Sequence, residues 1–385
     1  MKKIIFFLCL CFGLSAETTK TICLNMIVKD ESHVIERCLS SVKELIDYWV
    51  IVDTGSSDDT KEIIKNLLKD IPGELHEAPW VNFAYNRNEA LKLANEKGDF
   101  ILFMDADEFL VFPYGYKRPN LDKEAYLIPY QNALRTYTYY RIALIDNRLP
   151  WAWTGDIHES IESLINRPKT HEYLNDIINI TSNDGRRSQD PEKSFKDAQV
   201  LEKMVEKDPN NSRNVFYLAQ SYRDAGEFDL AIECFAKRAN MRGCDQELFW
   251  SMYQLACLLE FREADSQLVI ESYYKAYECR PSRAEPLFYL ARYYQRSENY
   301  FLGYLVAKEA VSIPLSNDIM YVENWIYDYG VLLEVATCSF FLGKYQEAYD
   351  TCLKILEKEN IPIEVRKSVE ANLICAKSNI LTSQS

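Results

Sequence analysis

The chain contains no Cys-x-x-Cys pair and no cysteine–histidine cluster at zinc-ligand spacing, although it holds eleven cysteines. That excludes zinc-ribbon and zinc-finger architectures. A disulfide scaffold of this length would be unusual, so the thiols are read as reduced, buried and behaving as small hydrophobes. Positive charge is also scarce: 44 Lys and Arg stand against 58 Asp and Glu, for a net charge of −14. Such a surplus repels a polyphosphate backbone and argues against nucleic-acid binding. Histidines number only four, at 33, 76, 158 and 171. After the N-terminus no run is long and apolar enough to cross a bilayer.

That N-terminus reads as a signal peptide or membrane anchor over residues 1–20. Lys2 and Lys3 precede an apolar run from Ile4 to Leu14, closed by Ser15-Ala16. Leu14 is bulky for the position three before a cut after Ala16, and the alternative is an early hydrophobic strand. A signal or anchor points to export or membrane association. Scattered thiols, which prefer a reducing compartment, point to the cytoplasm instead.

The remaining composition is globular, with 48% hydrophobic and 26% charged residues, and 385 residues suffice for two domains. Residues 21–190 alternate strand and helix. Thr21–Val28, Trp49–Val52 and Phe100–Met104 are short apolar runs of buried-strand type. Helical spacing follows the first two, and a further helix is expected from about Tyr85 to Lys97, stopped by Gly98. This order predicts an α/β layer with a mostly parallel sheet. From about residue 195 to 381 the chain reads as helical throughout. Phe216-Tyr-Leu-Ala-Gln-Ser-Tyr222 recurs as Leu287-Phe-Tyr-Leu-Ala-Arg-Tyr-Tyr294, each followed by Gly, aromatic and Ala positions. A degenerate copy lies between Phe249 and Pro281, and Gly343, Tyr345, Ala348 and Cys352 repeat the second half. These spacings resemble tetratricopeptide (TPR) repeats, in which the aromatic stripes are core.

Asp105-Ala-Asp107 ends the third apolar run, where ligands gather in parallel α/β sheets. Paired carboxylates in one turn offer hard oxygen ligands to Mg²⁺ or Mn²⁺. Upstream stand Asn25-Met-Ile-Val-Lys-Asp-Glu31, Arg37-Cys-Leu-Ser-Ser41, Val50-Ile-Val-Asp-Thr-Gly-Ser-Ser-Asp-Asp-Thr60 and Asn86-Arg-Asn-Glu-Ala90. This ordered set resembles glycosyltransferase family 2, the GT-A type, across residues 22 to about 112. Trp151-Ala-Trp-Thr-Gly-Asp-Ile-His-Glu159 resembles the segment that follows in members carrying TPR repeats.

The resemblance implies a GT-A nucleotide-sugar-binding domain followed by an all-α TPR-like domain. It implies a metal-dependent inverting transferase that moves one sugar, UDP-linked by expectation, to a protein, peptide or glycan acceptor. Asp53 matches the nucleoside-contacting carboxylate, with a turn-forming Asp as the alternative. Arg87 matches a nucleotide-side Arg, with a surface salt bridge as the alternative. Asp105 matches the ribose- or metal-facing carboxylate and Asp107 the metal ligand. His158 is read either as a third metal ligand or as a satisfied core histidine. Glu159 and Asp156 are the candidates for the base that deprotonates the acceptor, or else loop charges. The usual Glu-Asp pair of the base region is missing, and so is the Gln-x-x-Arg-Trp motif of processive synthases. Tyr114–Tyr116, Tyr137–Tyr140, Trp151 and Trp153 line an acceptor cleft or pack the sheet. Two competing readings are a TPR scaffold with a degenerate transferase domain and a nucleotidyltransferase. The second lacks a Gly-rich phosphate loop.

Overall fold

The computed structural model describes residues 19–167, 169–359 and 361–383. The expected signal or anchor lies outside the described residues except for its last two positions. The N-terminal half begins β1 (Ile22–Val28), α1 (Ile35–Val42), β2 (Tyr48–Asp53), α2 (Thr60–Leu67), β3 (Gly73–Glu77), α3 (Phe83–Leu93) and β4 (Phe100–Phe103). Almost every residue of β1, β2 and β4 is buried, as strands covered on both faces must be. They pair in parallel in the order β3-β2-β1-β4. The chain therefore leaves β1 toward β2 on one side and returns to β4 on the other. That reversal opens a crevice at the C-terminal ends of β1 and β4, where α/β folds bind ligands.

Beyond β4 the sheet becomes mixed. The following elements are β5 (Glu108–Val111), β6 (Ala125–Asn132), β7 (Thr138–Asp146), β8 (Trp151–Thr154), β9 (Ser160–Ser163), β10 (His171–Tyr173) and β11 (Ile178–Thr181). β7 runs antiparallel to both β4 and β6, while β11 joins β6 in parallel and β5 antiparallel. β8 and β9 form a separate two-stranded hairpin. The boundaries of α3 differ from those expected. The Asn82 side chain accepts from the Tyr85 amide at 2.8 Å and starts the helix at Phe83. The helix ends at Leu93, and the chain turns through Glu96 at φ +62° before it reaches Gly98.

The C-terminal half is α-helical. After α4 (Lys193–Lys207) come four hairpins: α5 (Ser212–Asp224) with α6 (Phe228–Ala239), α7 (Asp245–Phe261) with α8 (Ser266–Cys279), α9 (Glu285–Arg296) with α10 (Tyr300–Val311), and α11 (Val331–Phe341) with α12 (Tyr345–Leu356). α13 (Ile363–Ser383) packs on the last. Every hairpin turns through one left-handed residue: Gly226, Glu263, Glu298 or Gly343. The array is TPR-like, each helix packing on the next. No helix among the described residues is long and apolar enough to cross a membrane.

Residues 312–330 interrupt the array between α10 and α11. Arg283 and Glu285, both fully buried, pair at 2.7 Å, and Arg283 also reaches Asp318 at 3.1 Å and the Tyr321 carbonyl at 2.8 Å. Tyr253 on α7 donates to Glu323. So fastened across α7 and α9, the segment bonds Val322 to Thr138 of β7 through two 2.8 Å backbone hydrogen bonds. The two halves are thereby joined edge to edge.

Candidate active site

The loops after β1 and β2 brace one another at the crevice. The Asp30 carboxylate accepts from the Ser57 amide at 2.7 Å, Asp58 from the Ser32 amide at 3.0 Å, and the Thr60 hydroxyl from the Glu31 amide at 2.8 Å. Asp53 ends β2, fully buried, with Oδ1 accepting from the Gly55 and Ser56 amides. Its Oδ2 is sealed from solvent and has no hydrogen-bond partner. Such an orphaned acceptor calls for an explanation.

Asp105 and Asp107 follow β4, but their environments differ. Asp105 is bonded by the Arg87 guanidinium, and Arg141 stands 3.8 Å away. Burial works against its ionisation, yet those two charges outweigh it and hold its carboxyl below the usual range. Asp107 has no Lys or Arg partner among the described residues, and burial together with Asp105 pushes its carboxyl up. Glu31 lies beside it. Burial raises that carboxyl to about 7, against the Arg186 amide, with Asp107 adding to the rise. The segment after β11 covers this pair. The Arg186 amide donates to Glu31 at 3.1 Å, and Gly185 sits so close to Asp107 that an added Cβ would lie 3.1 Å from its Oδ2. His33 and Arg37 anchor the same segment through Asp184.

Arg87 is the hub of the crevice floor. Projecting from α3 and 6% exposed, it donates through Nε to Glu159 at 2.7 Å and lies 4.9 Å over the Trp153 ring. Arg141, from β7, stacks 5.0 Å over Tyr130 and pairs with Glu108 at 3.4 Å. Glu108 also accepts from the Asp105 amide and from Asn179, and burial pushes it up to about 7. Asp156, exposed at the β8–β9 turn, accepts from the Asn82 side chain at 3.1 Å.

The structure thus gathers Arg87, Asp105 and Glu159, with Asp107 two residues along the same turn. It does not bring Asp105, Asp107 and His158 together. No group of three or more His, Cys, Asp or Glu side chains is arranged as metal ligands among the described residues. His158 stacks face to face on Tyr217 of α5 at 4.1 Å, and burial with nearby cations drives its imidazole down to about 3, hence neutral. Trp151 and Trp153 are buried core, Tyr114 is fully exposed, and Tyr137 and Tyr139 pack on Tyr321. Glu31, Glu108 and Arg141 received no role from sequence. Glu31 closes the Asn25–Glu31 motif and Glu108 directly follows Asp105-Ala-Asp107, while a lone Arg in an apolar strand is the available signal for Arg141.

Residues 23–111 match the model of glycosyl transferase family 2. This stretch is a family 2 glycosyltransferase domain. A TPR repeat-containing protein of Synechococcus elongatus is 40% identical over 89 residues, covering 23% of this chain and 21% of that one. The SPbeta prophage-derived glycosyltransferase SunS of Bacillus subtilis is 25% identical over 270 residues, covering 64% and 60%. The chain therefore spans between 21% and 60% of the length of these relatives. The solved structure of MamA is 19% identical with a TM-score of 0.36, covering 46% of this chain and 91% of that one. The family match covers β1 through β5, the elements that carry Asp53, Arg87, Asp105 and Asp107.

Proposed function

We propose that the protein is an inverting glycosyltransferase that moves one sugar from a nucleotide donor, UDP-linked in the first instance, to an acceptor hydroxyl on a protein, peptide or glycan. The observation that carries this is the Glu31–Asp107 pair: two carboxylates in the loops after β1 and β4 that make no salt bridge among the described residues. One or two carboxylates plus substrate phosphates and water make an ordinary Mg²⁺ or Mn²⁺ site, so the donor set fits. When bound there, the metal would neutralise charge on the departing diphosphate. Asp53 faces the nucleoside in this reading, and a base or ribose donor would satisfy its orphaned Oδ2.

The chain's own groups divide the remaining work. Glu159 is committed to the Arg87 guanidinium, which makes it a poor proton acceptor. Asp156 is solvent-exposed and, among the described residues, is bonded only by the neutral Asn82 amide, so the base role falls to Asp156. Arg87 and Arg141 hold Asp105 ionised on the crevice floor, facing the donor. The test is calorimetric titration of UDP with and without Mn²⁺, followed by a screen of nucleotide-sugar hydrolysis. Mn²⁺-dependent UDP binding that disappears in Asp107→Ala is expected. A wild-type chain that binds no nucleotide with either metal would sink the proposal.

A further inference from the structure

We infer that the helical array is a structural part of this catalytic site, with Tyr217 and Tyr321 acting as positioning residues that hold Arg87 and Arg141 on Asp105. The inference rests on the reading of the crevice given above.

The β8–β9 hairpin delivers Glu159, yet it stands outside the main sheet. Two strands alone are marginally stable, so something must hold them. Along β8 the hairpin is bolted to α3, where Asn88 exchanges two 2.8 Å hydrogen bonds with the Trp153 backbone. At its tip it is held by the helical array. Ile157 is buried in a cluster of residues from α4, α5, α6 and α7. His158, at φ +50°, presents its ring flat against Tyr217, with 5° between the planes. A left-handed histidine is an unfavourable conformation that its surroundings must maintain. The next residue is Glu159, bonded to Arg87, which is bonded to Asp105. An unbroken line of contacts therefore runs from α5 to the Asp105 carboxylate.

A second line reaches the same carboxylate. Tyr321, in the 312–330 segment, packs against Tyr137, Tyr139 and Trp250. It sits beside the Val322–Thr138 pairing that fixes the start of β7. Three residues on, Arg141 reaches Asp105 and Glu108. Where a TPR array commonly offers its inner helices to a partner, here α7 and α9 are spanned by the chain's own segment. The catalytic domain is what the array grips.

The experiment uses the full chain. In Tyr217→Ala, hydrogen exchange across residues 151–163 should rise about tenfold, the scale of one lost aromatic contact. Mn²⁺-dependent UDP binding should weaken by about the same factor. Tyr217→Phe, which keeps the stack, should restore both. Ile355→Ala, which opens a cavity in the distant α12, should lower the melting temperature without either effect. Tyr217→Leu serves if the alanine variant does not fold. In Tyr321→Ala the rise should fall instead on residues 138–146. Unchanged exchange in the hairpin of a folded Tyr217→Ala or Tyr217→Leu chain overturns the inference. The exchange measurement reads the clamp whether or not UDP binds, so failure of the functional reading would be seen separately in the wild-type titration.

Discussion

Replacing Arg87 by leucine removes the one cation between two carboxylates, and the cost follows from how deeply each lies. The Glu159 side chain is 9% exposed and the Asp105 side chain 34%. Removing one partner of a buried pair strands the other charge, at about 3–5 kcal/mol. Asp105 reaches solvent and keeps Arg141 nearby, so its share is small. The burden falls on Glu159, and the lost contact over Trp153 adds about 0.5–1 kcal/mol. The expected total of about 4 kcal/mol corresponds to roughly 8–16 °C in melting temperature for a domain of this size. Thermal denaturation of Arg87→Leu, Glu159→Leu and the double variant is the assay. The double variant carries no stranded Glu159, so it should recover most of the loss, with a coupling energy of about 2 kcal/mol. Strictly additive losses, or a single variant that melts within about 2 °C of the parent, would refute the account of Arg87 as a buried hub.

Three further outcomes are expected. Burial disfavours the charge on Asp58, but bonds from Thr60 and Ser32 outweigh it and hold the group at about 2, below the ordinary 3.8. Its stabilisation is therefore present above pH 3.8 and lost as pH falls toward 2, so Asp58→Asn should flatten that acid limb in a fluorescence titration. An identical limb would count against the bracing of the β1 and β2 loops. Gly185→Ala is compatible with the backbone at φ −61°, yet its Cβ would press on Asp107. Calorimetry should show Mn²⁺-dependent UDP affinity weakened roughly fivefold, about 1 kcal/mol, with melting little changed. Equal affinity would place the metal elsewhere. Arg283→Met strands the fully buried Glu285 at about 3–5 kcal/mol. Limited proteolysis should then cut first within residues 312–330, and a segment that stays resistant would deny Arg283 its fastening role.

The legible parts of this protein are those where local pattern and tertiary role coincide. β4 is an unbroken apolar run that closes in an acidic turn, so Asp105 and Asp107 could be placed at a strand end without knowing what surrounds them. The repeat was readable because small residues and turns recur along the chain. It faded after Pro314, where 312–330 carries Tyr321, Trp325 and Tyr327, aromatics of the same kind the repeats use. It is the long-range contacts, the Arg283–Glu285–Asp318 network, the Tyr253–Glu323 bond and the Val322–Thr138 bridge, that show that segment to be an insertion. The environment of Arg141 depends on the β6–β7 register, which sets it opposite Ile128, and no local spacing reveals that. His158 stood open between ligand and core because its partner, Tyr217, lies 59 positions away in another domain.

The most specific of the family motifs is largely a brace. In Asp53-Thr-Gly-Ser-Ser-Asp-Asp-Thr60, the Gly55 and Ser56 amides hold Asp53, and the Ser56 hydroxyl accepts from the Asp30 amide. Ser57 donates to Asp30, and Asp58 ties Ser32 to Thr60. Each bond joins the loop after β2 to itself or to the loop after β1. What they leave over is one carboxylate oxygen of Asp53, which has no hydrogen-bond partner, and the side chain of Glu31, which accepts from the Arg186 amide but makes no salt bridge among the described residues. Residue types that form short-range hydrogen-bond networks hold those acceptors at fixed positions before any ligand arrives, so the reorganisation cost of binding is met in folding. The pattern that identifies the domain is for that reason also the one that fixes the Asp53 carboxylate at the end of β2. A change to Ser32 or Ser57 should then weaken nucleotide binding although neither side chain would touch the nucleotide.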